Sequence, residues 1–122
     1  MGRIMTKWAV WGLFAGLAWS GEAVAVGAIA IDNQLDGYDP IYGIAMEKDS
    51  KEAAKRKALR HCRESGGSDC IFVVWFETCG AVATARKRYG YGYGVTKAKA
   101  VADALEMCGR NSCQLLVAEC EE

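Results

Sequence analysis

Six cysteines and one histidine are the most reactive side chains in this 122-residue sequence. The cysteines are Cys62, Cys70, Cys79, Cys108, Cys113 and Cys120. Such side chains form disulfides, hold zinc, or act together as a thiol nucleophile and its base. His61 adjoins Cys62, but a nucleophilic pair requires a free thiolate. The sequence has no closely spaced Cys-x-x-Cys pair of the kind that binds zinc, so we favour disulfides over a zinc site.

The N-terminal 25 residues have the pattern of an export signal. Arg3 and Lys7 precede an apolar run, Trp8–Leu17, and Ala23-Val24-Ala25 provides the small residues that a signal peptidase needs. The apolar run is shorter than the ~20 residues that span a membrane. We therefore predict cleavage near Ala25 and a secreted or periplasmic protein without a membrane span; the alternative is a retained N-terminal anchor. An oxidising compartment favours paired cysteines, which leaves His61 as a polar residue near a helix end.

The chain contains two similar stretches, Ser50–Cys62 and Thr96–Cys108, at a constant offset of 46 residues. Each begins with a hydroxyl residue, which can cap a helix by accepting a hydrogen bond from a first-turn N–H group. Each then places alanines four residues apart and ends at a cysteine. Two copies are too few for a solenoid. We therefore predict residues 1–25 as signal peptide and one pseudo-symmetric domain over residues 26–122, with copies at about 26–79 and 80–122.

The duplication also restricts the disulfide pairing. In each copy, a cysteine at the end of the helix is followed by another cysteine at the start of the next strand. The two remaining cysteines occupy matching strand ends and would join the two copies. We expect the pairs Cys62–Cys70, Cys108–Cys113 and Cys79–Cys120, each contributing about 2–4 kcal/mol to stability.

Short apolar runs predict the strands around these helices. The predicted strands are Val26–Ile31, Ile41–Met46, Cys70–Glu77, Gly80–Ala85, Tyr89–Val95 and Cys113–Cys120. Each copy is then strand, strand, helix, strand, and the fold class is α+β, with two helices packed on a mostly antiparallel sheet. The strand Cys70–Glu77 is apolar on both alternating faces, with Phe72, Val74 and Phe76 on one of them, so we expect it at the centre of the sheet.

These motifs together resemble a known family. They are Gly27–Ala30, Ala58-Leu59-x-x-Cys62, Cys70, Cys79–Ala83, Ala104-Leu105-x-x-Cys108, Cys113 and Cys120. The combination is similar to a secreted bacterial domain-of-unknown-function family that includes exported mycobacterial members. The resemblance covers essentially the whole mature chain and implies export, disulfides and a duplicated α+β domain. It implies no catalytic residue.

The run Tyr89–Val95 alternates tyrosine and glycine directly before the second helix. Its glycine spacing fits neither a dinucleotide-binding fingerprint nor a P-loop, so we expect no nucleotide or other cofactor. In an extended strand, Tyr89, Tyr91 and Tyr93 share one face. Three adjacent rings could stack on a sugar or on the side chain of a partner; the alternative is ordinary packing in the core.

The first helix is strongly basic. Its basic residues are Lys51, Lys55, Arg56, Lys57, Arg60 and, just beyond, Arg63, against the single acid Glu52. With Arg86-Lys87-Arg88 they predict a basic patch for an anionic partner, such as an acidic protein surface or an envelope polymer; the alternative is a solvated helix face. The mature chain has 13 basic and 14 acidic residues, a net charge of −1, which argues against a nucleic-acid binder.

Three aspartates, Asp32, Asp36 and Asp39, cluster in the loop after the first strand. Their spacing does not match a calcium-binding loop, and turn formation explains them better, so we predict no metal site. A pair of carboxylates for glycoside hydrolysis depends on their separation in three dimensions. An envelope-acting hydrolase that uses Asp or Glu is therefore an alternative.

We expect a small exported, non-enzymatic protein that binds a protein or an envelope component, as an inhibitor, an immunity-type protein or a secreted effector. The candidate binding residues are Tyr89, Tyr91, Tyr93, Lys55, Arg56 and Arg60. No residue is predicted to be catalytic. The alternatives are the carboxylate hydrolase and a purely structural envelope module.

Overall fold

The computed structural model describes residues 25–35 and 40–121. Its elements are β1 (Val26–Asp32), β2 (Tyr42–Lys48), α1 (Lys51–Glu64), β3 (Cys70–Phe76), β4 (Cys79–Ala85), β5 (Arg88–Gly94), α2 (Lys97–Cys108) and β6 (Gln114–Cys120). Residues 1–24 of the predicted signal peptide lie outside the described residues, and so do the loop aspartates Asp36 and Asp39. None of the described helices is long and apolar enough to cross a membrane.

The six strands form two antiparallel sheets of three strands each. The first sheet has the order β2-β1-β3 and the second has the order β5-β4-β6. We call β1, β2, α1 and β3 the first unit, and β4, β5, α2 and β6 the second unit. Both units have the predicted order of strand, strand, helix, strand, and the disulfide-stapled α+β class is confirmed. The strands divide between two sheets, however, rather than forming the single sheet that the sequence suggested.

The elements stack in four layers, helix, sheet, sheet and helix. One buried cluster lies between α1 and the first sheet, and a second lies between α2 and the second sheet. A third cluster, which includes Ile29, Ile31, Val74 and Val82, lies between the two sheets. The central strand β1 is therefore covered on both faces and is buried along its whole length.

The strand β3 is at an edge of its sheet, so the prediction that it is central was wrong. Both faces of β3 are apolar because the strand lies between helix α1 and the second sheet. These cover its two faces even though it is at the edge of its own sheet. A bulge at Val73 also separates the side chains that were expected on one face. Phe72 packs on the α1 side, whereas Val74 and Phe76 pack between the sheets.

Both helices begin at the predicted capping residues. The Ser50 hydroxyl accepts a hydrogen bond of 3.1 Å from the Ala53 N–H group, and the Thr96 hydroxyl accepts one of 3.1 Å from Lys99 N–H. At the other end of α2, Gly109 follows the helix with a φ of 120°, a conformation that favours glycine. The sequence signals at these helix ends therefore correspond to hydrogen bonds and backbone angles in the structure.

Small residues let each helix lie very close to its sheet. Ala54, Ala58, Ala100 and Ala104 are fully buried where the helices cross the strands. A Cβ atom placed on Gly43 of β2 would lie 2.2 Å from the Ala58 carbonyl oxygen. Glycine at this position therefore permits direct contact between helix backbone and strand backbone.

The structure joins the three cysteine pairs that the sequence predicts. The sulfur atoms are 2.05 Å apart in Cys62–Cys70, 1.95 Å apart in Cys108–Cys113 and 2.08 Å apart in Cys79–Cys120. Cys79 is the first residue of β4 and lies directly opposite Cys120 of β6. This bridge therefore closes the second sheet, and the expectation that it joins the two units was wrong. The reason is that Cys79 starts the second unit instead of ending the first.

Candidate ligand-binding cleft

A cleft of about 550 Å³ opens between β3 of the first sheet and β5 of the second sheet. Five aromatic side chains line it: Phe72, Trp75 and Phe76 from β3, and Tyr91 and Tyr93 from β5. Val95 lies on the β5 side, just before α2, and Lys51 and Glu77 provide one positive and one negative side chain. The cleft is therefore an aromatic groove with a few polar groups, which is the usual composition of a binding site.

Two aromatic rings of the cleft, those of Trp75 and Tyr93, are exposed to solvent, whereas Phe72 and Tyr91 are half-buried and Phe76 is buried. Trp75 is 36% exposed, Tyr93 is 60% exposed, and the neighbouring Val95 is 76% exposed. Lone exposed apolar residues are ordinary on protein surfaces, but contiguous exposed apolar side chains mark interaction sites. These three residues line one cavity, so their exposed apolar surface is gathered around a single cleft.

Lysines of α1 lie over the β3 rings. The Lys51 ammonium is 5.2 Å from the centre of the Trp75 ring, and the Lys55 ammonium is 5.4 Å from the centre of the Phe72 ring. The two lysines are four residues apart and therefore lie on one side of the helix. Such cation–π contacts place positive charge beside the aromatic cleft.

The tyrosine run forms β5, with Gly90 and Gly92 facing the backbone of α2. Tyr91 and Tyr93 line the cleft, whereas Tyr89 does not. Tyr89 and Tyr91 are half-buried against the core between the sheets. The rings thus divide between core packing at Tyr89, exposure at Tyr93, and a mixed environment at Tyr91.

The basic candidates of the sequence do not all reach the cleft. Lys55 does not line the cavity itself but lies over the ring of Phe72, which does, whereas Arg56 and Arg60 are exposed on α1 and do not line the cavity. Arg88 donates a hydrogen bond to the Ser112 hydroxyl and so belongs to the surface of the second unit. The structure therefore selects Lys51 and Lys55 as the cations of the cleft region.

Comparison with known proteins identifies the family. A family model described as "Domain of unknown function (DUF4189)" matches residues 26–120. The chain belongs to the DUF4189 family. Its fold is similar to the "NMR structure of Rv1813c from Mycobacterium tuberculosis", with a TM-score of 0.55 and 22% sequence identity over 95% of this chain and 97% of that one. At this identity the likeness shows the fold alone. No curated protein matches the chain.

The predicted resemblance to a domain-of-unknown-function family is thus confirmed for this DUF4189 domain, whereas export stays a prediction. Sequence reasoning missed Trp75, Lys51, Glu77 and Val95 as residues of the cleft. A signal for Trp75 was present in the comparison of the two units. The corresponding residue of β6 is Ala118, so a large aromatic ring stands in one unit where the other has a methyl group.

His61 of the DUF4189 domain lies in the last turn of α1, as predicted, but its ring is half-buried and bonded to β2 rather than solvated. Its Nδ1 atom lies 2.8 Å from the Ile44 carbonyl oxygen of β2, so the ring donates a hydrogen bond to an edge strand. The adjacent Cys62 is bonded to Cys70 and has no free thiolate. A cysteine–histidine nucleophile is therefore excluded at this position.

The carboxylates of the described residues do not form a catalytic pair in the cleft. Glu77 is the one acidic side chain among the cleft residues. Asp32 is buried and accepts a 3.1 Å hydrogen bond from the Asp69 N–H group, which holds the loop before β3. No group of three or more His, Cys, Asp or Glu residues within the described ranges could hold a metal ion.

Proposed function

We propose that the protein is an exported binding protein and that the cleft between β3 and β5 is its ligand-binding site. The observation that carries this proposal is the exposure of Trp75, Tyr93 and Val95 in one cavity. Export is supported by the signal-peptide pattern of residues 1–25 and by three disulfides, since disulfides persist in oxidising compartments. The ligand is a protein or an envelope component.

The composition of the cleft suits binding better than hydrolysis. Aromatic rings provide a large apolar contact area while losing little conformational entropy, and tyrosine adds a polar tip that can form hydrogen bonds. A two-carboxylate hydrolase would need a second acid beside Glu77, and the cleft has none among its lining residues. Its aromatic rings, with Lys51 and Glu77, can hold and orient a ligand.

Retention of envelope material by the immobilised, oxidised protein tests this proposal. Soluble peptidoglycan fragments and the protein fraction of the envelope are applied separately to the wild type and to the double variant Trp75→Ala/Tyr93→Ala. We expect one fraction to contain a species that the wild type retains and that the double variant retains about tenfold less, because these rings provide the central contacts.

The matched control is Tyr42→Ala, which removes an exposed aromatic ring of β2 outside the cleft. It should retain the same species as the wild type. Far-ultraviolet circular dichroism checks that all variants are folded. Equal retention by the wild type and the double variant, or retention of nothing by the wild type, would contradict the proposed site.

A further inference from the structure

We propose that the ligand of the cleft is an extended, acidic segment of another protein, which adds as a further strand to the free edge of β3. This inference rests on the proposed function and names the ligand class of the same site. It depends on three observations. The strand β3 has a free edge, helix α1 has a net positive charge, and lysine side chains lie on one side of that edge while tyrosine side chains lie on the other.

The free edge of β3 faces the cleft. Within the described residues β3 pairs with β1 alone, so its other edge has no strand beside it. Every residue from Phe72 to Cys79 lines the cleft, whereas a pocket formed by one face of a strand is lined by alternate residues. An edge strand directs every second N–H and C=O group away from its neighbour. The cleft therefore presents backbone donors and acceptors as well as aromatic rings.

Apart from the bulge at Val73, this edge lacks the features that usually prevent strand addition. Natural edge strands are protected by charged residues or proline, and β3, with the sequence CIFVVWF, contains neither. The corresponding strand β6 contains Glu119. An unprotected edge beside exposed aromatic side chains is the arrangement that binds extended peptides by strand addition.

The charge of α1 selects an acidic partner. The helix has six basic and two acidic side chains, a net charge of +4. The ion pairs of the described residues, Lys99–Asp103 and Arg110–Glu106, both lie in the second unit. The basic side chains of α1 thus have no carboxylate partner within the part of the chain that the structure describes. Opposite charge on a ligand would compensate them.

The two sides of the edge predict the pattern of the bound segment. Side chains of an added strand alternate between the two faces of the sheet. Those on one face would meet Lys51 and Lys55, and those on the other face would meet Tyr91 and Tyr93. We therefore expect acidic residues to alternate with aromatic or aliphatic residues.

The same charges argue against a second copy of this chain as the occupant. Antiparallel pairing of two β3 edges around a two-fold axis would place both α1 helices on the same face of the joined sheet. Each helix has a net charge of +4, so the two would repel each other across the new pair of strands. An acidic segment of a different protein meets no such repulsion.

Peptide selection tests the inference. A displayed library of random peptides of about ten residues, long enough to cover the edge, is selected on the oxidised, exported full chain. We expect enrichment of peptides that alternate acidic with apolar residues. Trp75 is the one tryptophan outside the predicted signal peptide, so its fluorescence reports binding of the synthesised peptides.

Two changes separate strand addition from simple charge attraction. Methylation of the peptide backbone at alternate nitrogens should weaken binding about tenfold in one register and little in the other, because only one set of N–H groups faces β3. The variant Lys51→Glu should weaken binding about fivefold. It keeps the helix, because an acidic residue in the first turn is favourable. The control Arg86→Glu makes the same charge change in the turn between β4 and β5 and should have no effect.

Other outcomes overturn the inference. Enriched peptides without Asp or Glu, or equal tolerance of methylation in both registers, would exclude an acidic added strand. If soluble polygalacturonate is the only probe that changes Trp75 fluorescence, the site binds an anionic glycan, and the proposed function stands without this inference. If no probe changes the fluorescence and the envelope fractions also show no difference between wild type and Trp75→Ala/Tyr93→Ala, both proposals fail.

Discussion

The two units pack their helices in the same way and differ in what they expose. In each unit a capped helix places buried alanines against its sheet, and a disulfide follows the last turn. In each, a glycine of the second strand lies against the helix backbone, Gly43 in β2 and Gly90 in β5. Substitution at these positions would separate helix from sheet, so close packing explains why the units are alike there.

The exposed surfaces are different because few contacts constrain them. Helix α1 has a net charge of +4, whereas α2 has two basic and two acidic side chains and contains the Lys99–Asp103 ion pair. The strand β3 presents Trp75, where β6 has Ala118. On the other side of the sandwich, between β2 and β6, the Glu121 carboxylate accepts hydrogen bonds from the Glu47 N–H group at 2.9 and 3.1 Å. The candidate site thus lies beside two of these differences, the charge of α1 and the Trp75 ring of β3.

The largest expected difference between the units comes from the disulfides. Cys79–Cys120 spans 41 residues, and its removal by paired alanine substitutions should cost about 4 kcal/mol in the chain-entropy account. Removal of Cys108–Cys113, which spans 5 residues, should cost about 2 kcal/mol. Guanidinium unfolding of the oxidised proteins measures both losses.

The bridge Cys62–Cys70, which spans 8 residues, is the matched control in the first unit. Its removal should cost nearly the same as removal of Cys108–Cys113. The first unit has Val26 and Glu77 at the positions that correspond to Cys79 and Cys120, so it has no third bridge of its own. Equal losses for the long and the short bridges would contradict the chain-entropy account of this difference.

Glycine substitution should produce the next largest effect and should affect both units alike. Alanine at Gly43 would place Cβ 2.2 Å from the Cys62 nitrogen, and alanine at Gly90 would place it 2.3 Å from the Cys108 nitrogen. Each variant should lose about 3 kcal/mol of unfolding free energy, because the helix backbone must move away. Denaturant unfolding measures the loss.

The control for these variants is Gly94→Ala at the end of β5. Its Cβ would meet only the flexible Lys99 side chain, 2.9 Å away, which can move. We expect a loss below about 1 kcal/mol. A Gly43→Ala protein as stable as Gly94→Ala would show that helix and strand are not in backbone contact in the first unit.

The smallest expected effect concerns the ion pair of α2. Its hydrogen bond from Lys99 Nζ to the Asp103 carboxylate, 2.7 Å long, raises the pKa of Lys99 above the ordinary value of 10.5. A raised pKa in the folded state means that the stabilisation is complete below pH 10.5 and disappears as the pH rises through the folded-state pKa. Both side chains are largely exposed, so the contribution to stability is small.

The variant Asp103→Asn should return the pKa of Lys99 towards its ordinary value, and NMR titration of the lysine side chain measures this shift. Glu106→Gln is the control, because Glu106 pairs with Arg110 at 3.7 Å and does not contact Lys99. An unchanged Lys99 pKa in Asp103→Asn would show that this pair does not persist in solution. The two helices would then differ less in ion pairing than the structure indicates, although their net charges would be unchanged.

Much of the candidate site was hidden from sequence reasoning. Tyr91 and Tyr93 were predicted from the alternation of β5, and both line the cleft. Trp75 was assigned to a strand covered on both faces, because a continuous apolar run does not distinguish a central strand from an edge strand in four layers. Arg56 and Arg60 belong to the same basic helix as Lys51. Only Lys51 lines the cleft, and the composition of the helix does not show which of its basic side chains does so.

The sequence by itself determined the local structure. Capping hydroxyls, alanine spacing, glycine positions and apolar runs located both helices and all six strands, because these signals act over a few residues of chain. The cysteines that follow the two helices at matching positions led to Cys62–Cys70 and Cys108–Cys113, and Cys79–Cys120 was the pair that remained. Only the tertiary structure decided that the strands form two sheets, that β3 is an edge, and that β3 lies beside β5. The arrangement of the strands depends on how the apolar faces of the two sheets pack against each other. That packing joins residues far apart in the chain, and no local sequence pattern indicates it.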